Sequence, residues 1–197
     1  MKRILWLLAL VVVAGAGGWF LLNGSEPEGP YPGMGGDFTL QSNQGPVSLS
    51  DFRGKVVLIY FGYTSCPDIC PTSLGALAAA LKRLAPEEMA RIQPLFISVD
   101  PERDTPDKIA EYARYFHPRM IGLTGSLEAL RALADRYGAY FRKAEVTDST
   151  LGYAVDHSSV IYVVDERGML VDMIQHSGSP NAILERLRRV LHPSASS

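Results

Sequence analysis

Six consecutive apolar residues, 56–61 (VVLIYF), run almost directly into a turn that carries both cysteines of the chain, Cys66 and Cys70. A β-branched and aromatic run without polar alternation describes a strand buried on both faces, and such a strand needs helices packed on its sheet. Beyond the turn, residues 72–84 place Leu74, Leu77, Leu81 and Leu84 on one helical face, so Cys70-Pro71 stand near a helix start. The cysteines therefore occupy a strand-to-helix turn.

The remaining pattern alternates strand-like and helical runs. FTLQ and PVSL form an initial hairpin, and residues 92–99 (IQPLFISV) a second buried strand. Residues 105–116 and 126–137 are helical, and residues 159–165 (SVIYVVD) a further strand. Residues 169–175 pair with that strand through the Glu166-Arg167-Gly168 turn, and residues 181–191 close as an amphipathic helix. This order predicts an α/β, thioredoxin-like fold: a central mixed sheet flanked by helices, with an N-terminal hairpin, over residues 37–193. Residues 194–197 are a tail.

The N-terminus reads as an address. Residues 4–22 (ILWLLALVVVAGAGGWFLL) are 19 apolar or small residues behind Lys2 and Arg3, a length matched to the roughly 30 Å core of a bilayer. Residues 1–22 are thus expected to be a single-pass membrane anchor. Its basic end stays on the cytoplasmic side and its domain on the extracytoplasmic, periplasmic-type side. Ala14-Gly15-Ala16 offers a competing cleavage site, but Trp19 to Leu22 prolong the apolar run past it. No cysteine stands near the segment for a lipid anchor. Residues 23–36 (NGSEPEGPYPGMGG) are a flexible linker by composition, spanning roughly 20 Å as a coil. The net charge of −2 becomes −4 once Lys2 and Arg3 are assigned to the anchor, leaving 17 basic against 21 acidic residues. That balance argues against nucleic-acid binding.

Two cysteines four positions apart cannot staple distant parts of a fold, so they read as a site. At a helix N-terminus thiolate is favoured over thiol, which serves both disulfide exchange and metal binding. Soft thiolates select Cu(I) or zinc, and a closed zinc site would require two further ligands. A small structural disulfide is the plain alternative, although closing so short a loop gains little. Of the four histidines, His157 directly precedes a central strand whose start lies beside the cysteine turn, which makes it the candidate third ligand. Asp156 is placed to orient its imidazole. His176, at a strand end, stands in reserve, while His117 and His192 are expected to be solvated. Asp68 is a turn or cap residue rather than a ligand.

Three segments in order, GKVVLIYFGYTSCPDICPTSL, FISVDPERDTPDKIAEYARYF and YAVDHSSVIYVVDERG, together with the apolar N-terminus, resemble the Sco/SenC family of copper-binding, thioredoxin-like proteins that help assemble cytochrome c oxidase. Carried over residue by residue, the resemblance implies that Cys66, Cys70 and His157 bind copper as Cu(I) or Cu(II). It implies delivery of that copper to the CuA-bearing subunit of the oxidase, with a copper donor or thiol-redox protein as further partner. Asp100, within VDPERDTP, matches a family segment without a ligand role.

The alternative is a thiol-disulfide reductase, with Cys66 and Cys70 as a redox pair that keeps the CuA cysteines or other extracytoplasmic thiols reduced. General oxidoreductases of this fold carry C-x-x-C and a proline before the strand that here begins at Ser159; this chain has C-x-x-x-C and His157-Ser158. A peroxidase pattern would require Pro and Thr where Ile59 and Tyr63 stand.

Overall fold

The computed structural model describes residues 29–145, 152–176 and 179–193. Its frame is set by β3 (Val56–Gly62), buried at every position and central in a five-stranded sheet ordered β5-β4-β3-β8-β9. β4 (Ile92–Ser98) runs parallel to β3 in register from Val56↔Ile92 to Gly62↔Ser98, and β5 (Ile121–Leu123) runs parallel to β4. On the other side β8 (Val160–Val164) is antiparallel to β3, pairing Tyr60 with Ile161. β9 (Leu170–Gln175) follows as a hairpin partner. The sheet is therefore mixed, and the antiparallel step brings the start of β8 beside the end of β3, where the cysteine turn begins.

Five α-helices accompany the sheet among the described residues: α1 (Ile69–Leu81), α2 (Pro86–Ala90), α3 (Pro106–Phe116), α4 (Leu127–Tyr137) and α5 (Pro180–Leu191). Helix α1 packs against α5, and α3 lies on β4 and β5. Leu74, Leu77, Leu81 and Leu84 are all buried, as their spacing predicts; each contributes about 1.5–3 kcal/mol relative to an exposed side chain. The helix begins three residues earlier than expected, so Cys70 lies inside it and Pro71 is its third residue. Proline is tolerated there because first-turn N–H groups have no intrahelical partner. Thr105 and Ser126 cap α3 and α4 with their side-chain oxygens. Tyr137 of α4 meets Phe61 and Tyr162 edge-on, at 6.2 and 5.8 Å between ring centroids.

The N-terminal hairpin is β1 (Thr39–Ser42) with β2 (Gly45–Ser48). A second hairpin, β6 (Phe141–Glu145) with β7 (Tyr153–His157), forms a two-stranded sheet of its own; nothing in its sequence reads as an apolar strand.

The linker expected over residues 23–36 is docked in its second half. Gly35 N–H donates to the Arg136 carbonyl at 2.8 Å, and Tyr137 donates to the Gly36 carbonyl at 3.1 Å. Tyr31 and Met34 pack on the core, apolar contacts that composition alone conceals. No helix among the described residues is long and apolar enough to cross a membrane. The expected anchor at residues 1–22, the first part of the linker and the tail 194–197 lie outside the described residues.

At Gly122 a Cβ would stand 2.6 Å from the Ile109 carbonyl oxygen of α3, and helix backbone cannot yield as a side chain would. Gly122→Ala is expected to destabilise the fold by about 1–3 kcal/mol, read as a lower urea midpoint at unchanged slope. An unaltered midpoint would show that α3 does not lie this close to β5.

Candidate metal centre

The site grows from the end of β3. Gly62 leads into Tyr63, and a turn closed by Cys66 N–H on the Tyr63 carbonyl, 3.3 Å, aims the chain into α1. The Cys70 N–H then points at Cys66 Sγ at 3.5 Å, so the sulfur sits at the positive end of the helix, where negative charge is stabilised. Cys70 itself is fully buried, packed over Gly62. A Cβ at Gly62 would stand 2.8 Å from Cys70 Sγ and 2.9 Å from the Phe96 ring, so the missing side chain supplies the sulfur's place.

His157 is the last residue of β7, opposite Phe141. Its Nε2 lies 3.1 Å from Cys70 Sγ and its Nδ1 3.0 Å from the Ser158 carbonyl oxygen. A carbonyl can only accept, so Nδ1 donates and Nε2 turns its lone pair toward the sulfurs. Tyr60 and Tyr63 flank the imidazole edge-on at 6.1 and 5.8 Å between centroids. The donor atoms of Cys66, Cys70 and His157 all lie within 4.8 Å of one another.

The two thiols are electrostatically unequal. Cys66 is pulled down to about 3 by the hydrogen bond from the Cys70 thiol, which outweighs the opposing effect of burial. Cys70 is pushed far above the ordinary thiol range because its proton serves Cys66 and because it is buried. The resting pair is thus one thiolate and one thiol. Both are free rather than disulfide-bonded. A groove of about 340 Å³ is lined by Cys66 and His157 together with Pro67 and Asp156; Cys66 is buried in its wall at 9% exposure, and Cys70 does not line it.

Each predicted site residue has a clear position. Cys66, Cys70 and His157 come together. Asp156 instead turns toward Arg142, 3.6 Å away, because alternate residues of a strand face opposite ways; the Ser158 carbonyl orients the imidazole. His176 Nδ1 is 2.6 Å from Ser73 Oγ, apart from the cluster. His117, expected in solvent, is buried: its Nδ1 accepts from the Arg119 N–H at 3.2 Å as the chain turns at Pro118. His192 is exposed beside Glu88. Asp68 occupies the N-cap position of α1 and accepts from Thr72. Sequence reasoning missed Tyr60 and Tyr63, whose signal was their place at the end of the buried strand.

A donor set of two sulfurs and one imidazole, open on one side, fits a soft ion of low coordination number better than a closed four-ligand zinc centre. The SCO1/SenC family model matches residues 27–192. The SCO2-like protein of Rickettsia felis is 36% identical over 197 residues, covering 94% of this chain and 95% of the relative. Arabidopsis thaliana ScoI, solved with copper bound, matches with a TM-score of 0.76 at 38% identity, covering 82% of this chain and 99% of that one. BsSco, a member of the Sco family of cytochrome c oxidase assembly proteins in which a disulfide switch was identified, matches with a TM-score of 0.63 at 25% identity, covering 83% and 96%.

Alkylation by iodoacetamide tests the charge assignment. One thiol, Cys66, is expected to react at a rate that stays level from pH 8 to pH 5, since its ionisation lies near 3. Cys70 is expected to react only on unfolding. A rate that falls about tenfold per pH unit over that range would mean that Cys66 is an ordinary thiol.

Proposed function

This chain belongs to the SCO1/SenC family, and we propose that it carries copper on Cys66, Cys70 and His157 and hands it to the CuA-bearing subunit of cytochrome c oxidase. The observation that carries this reading is the convergence of two sulfurs and Nε2 within 4.8 Å at the wall of an open groove.

Two thiolates and an imidazole suit Cu(I), and Cu(II) takes an additional oxygen ligand to approach a tetragonal arrangement. Loading displaces the proton that Cys70 holds, so affinity rises with pH. The open groove that Cys66 and His157 line gives an acceptor's thiolate a path to the ion before a donor ligand leaves. Thiol-disulfide exchange with a partner's disulfide, which is reduced to its dithiol as Cys66 and Cys70 become a disulfide, removes two ligands and frees the ion. The apolar residues 4–22 behind Lys2 and Arg3 tether the domain to the extracytoplasmic face of the membrane, the face from which a copper donor and the oxidase subunit are reached.

A second reading, reduction of the CuA cysteines, is favoured by the inequality of the thiols. The Cys66 thiolate attacks an acceptor disulfide to form a mixed disulfide and release one acceptor thiolate. Cys70, losing its proton, then displaces the second acceptor sulfur, leaving the acceptor as dithiol and this pair as disulfide.

Anaerobic titration of the reduced protein with Cu(I) against a competing chelator separates the two. One copper per chain is expected. His157→Ala is expected to weaken it by more than the roughly 10- to 100-fold that losing an outer hydrogen-bond partner costs, with disulfide exchange retained. Failure of the wild type to compete for copper would overturn the carrier reading in favour of the reductase.

A further inference from the structure

His157 is carried by a hairpin that shares no ladder with the main sheet. Within β6 and β7 only Val155 is buried, and an isolated two-stranded hairpin is marginal in water. Its position therefore depends on side chains that reach it from elsewhere.

Those side chains come from residues 100–104, the loop after β4. The Tyr153 hydroxyl of β7 donates to Asp100 Oδ1 at 2.7 Å. Arg103 Nη1 donates to the Tyr153 carbonyl at 2.9 Å, and its guanidinium lies 3.7 Å from the centre of the Tyr153 ring. Arg103 Nε also donates to Asp100 Oδ2 at 2.5 Å, and Lys143 of β6 meets Glu102 at 2.5 Å.

The far end of the same loop holds the cysteine turn. Asp104 accepts from the Thr64 N–H at 2.8 Å and the Thr64 hydroxyl at 2.5 Å, two residues before Cys66. Ser98 at 2.6 Å and Lys108 at 3.0 Å complete its partners. The Asp100 and Asp104 side chains are both fully buried, an arrangement that costs free energy unless every oxygen is satisfied.

We infer that residues 100–104 are a strap that sets the separation between the two halves of the metal centre. Asp104 positions the cysteine turn through Thr64, and Asp100 with Arg103 positions the histidine hairpin through Tyr153. The role of the strap in metal binding rests on the copper reading; its hold on the hairpin does not.

Tyr153→Phe keeps the ring and removes only the hydroxyl. In the metal-free full chain it is expected to accelerate amide exchange across Tyr153–His157 about tenfold or more, leaving β3 and α1 unchanged. It is expected to lower Cu(I) affinity by roughly 10- to 100-fold, and to have no further effect when His157 is already alanine, because nothing remains to be positioned. Thr64→Val, acting on the cysteines, is expected to lower affinity in both backgrounds. Unchanged hairpin exchange in Tyr153→Phe, or an equal loss of affinity with and without His157, would overturn the strap. If the wild type takes no copper, the carrier reading falls, and hairpin exchange alone decides: acceleration supports the strap and its absence sinks it.

Discussion

The contact on which the site depends is that of Cys70 Sγ with its surroundings: Gly62 beneath it and His157 Nε2 at 3.1 Å. Cys70 can be buried there only because β3 ends in a residue without a side chain. The hydrogen bond to Cys66, reinforced by burial, keeps Cys70 protonated and leaves Cys66 as the thiolate. The low local dielectric that penalises two adjacent charges also strengthens the hydrogen bond that avoids them. The fold contributes the rest of the geometry. The cysteine turn follows the C-terminal end of the central strand β3, and the antiparallel β8 starts beside that same end just after His157.

An asymmetric pair of thiols at a groove has functional consequences. Cys66 and His157 line the groove, whereas Cys70 is buried and does not reach it. A partner therefore meets one sulfur and one nitrogen first, the order of contact suited both to ligand exchange at a metal and to attack on a disulfide. The two chemistries share atoms and differ in whether His157 takes part. That histidine stands on a two-stranded sheet separate from the main one, held by Tyr153, Arg103 and Asp100 rather than by a ladder to it.

Much of the fold was legible because burial follows local pattern. The run at 56–61, the leucine face of α1 and the helical runs at 105–116 and 126–137 each declare themselves within a few residues. The β6–β7 hairpin did not, since FRKAE and YAVDH carry charges through their length and gain their order from distant side chains. Short elements such as α2 and β5 were missed because five or three residues give too little periodicity. The cysteine pair was evident from its spacing. His157 stood out among four histidines through its place before β8 and through the resemblance. Asp156 misled because its neighbour in sequence faces the other way. The link between Tyr153 and Asp100 spans 53 residues and leaves no local mark.

Copper held through two sulfurs and one imidazole has its own spectroscopic signature. X-ray absorption at the copper edge on the Cu(I)-loaded full chain tests for it most directly. Two sulfur scatterers and one nitrogen scatterer, with the outer-shell pattern of an imidazole that vanishes in His157→Ala, are the expected result. A sulfur-only shell in the wild type, or an imidazole pattern that survives the substitution, would contradict it.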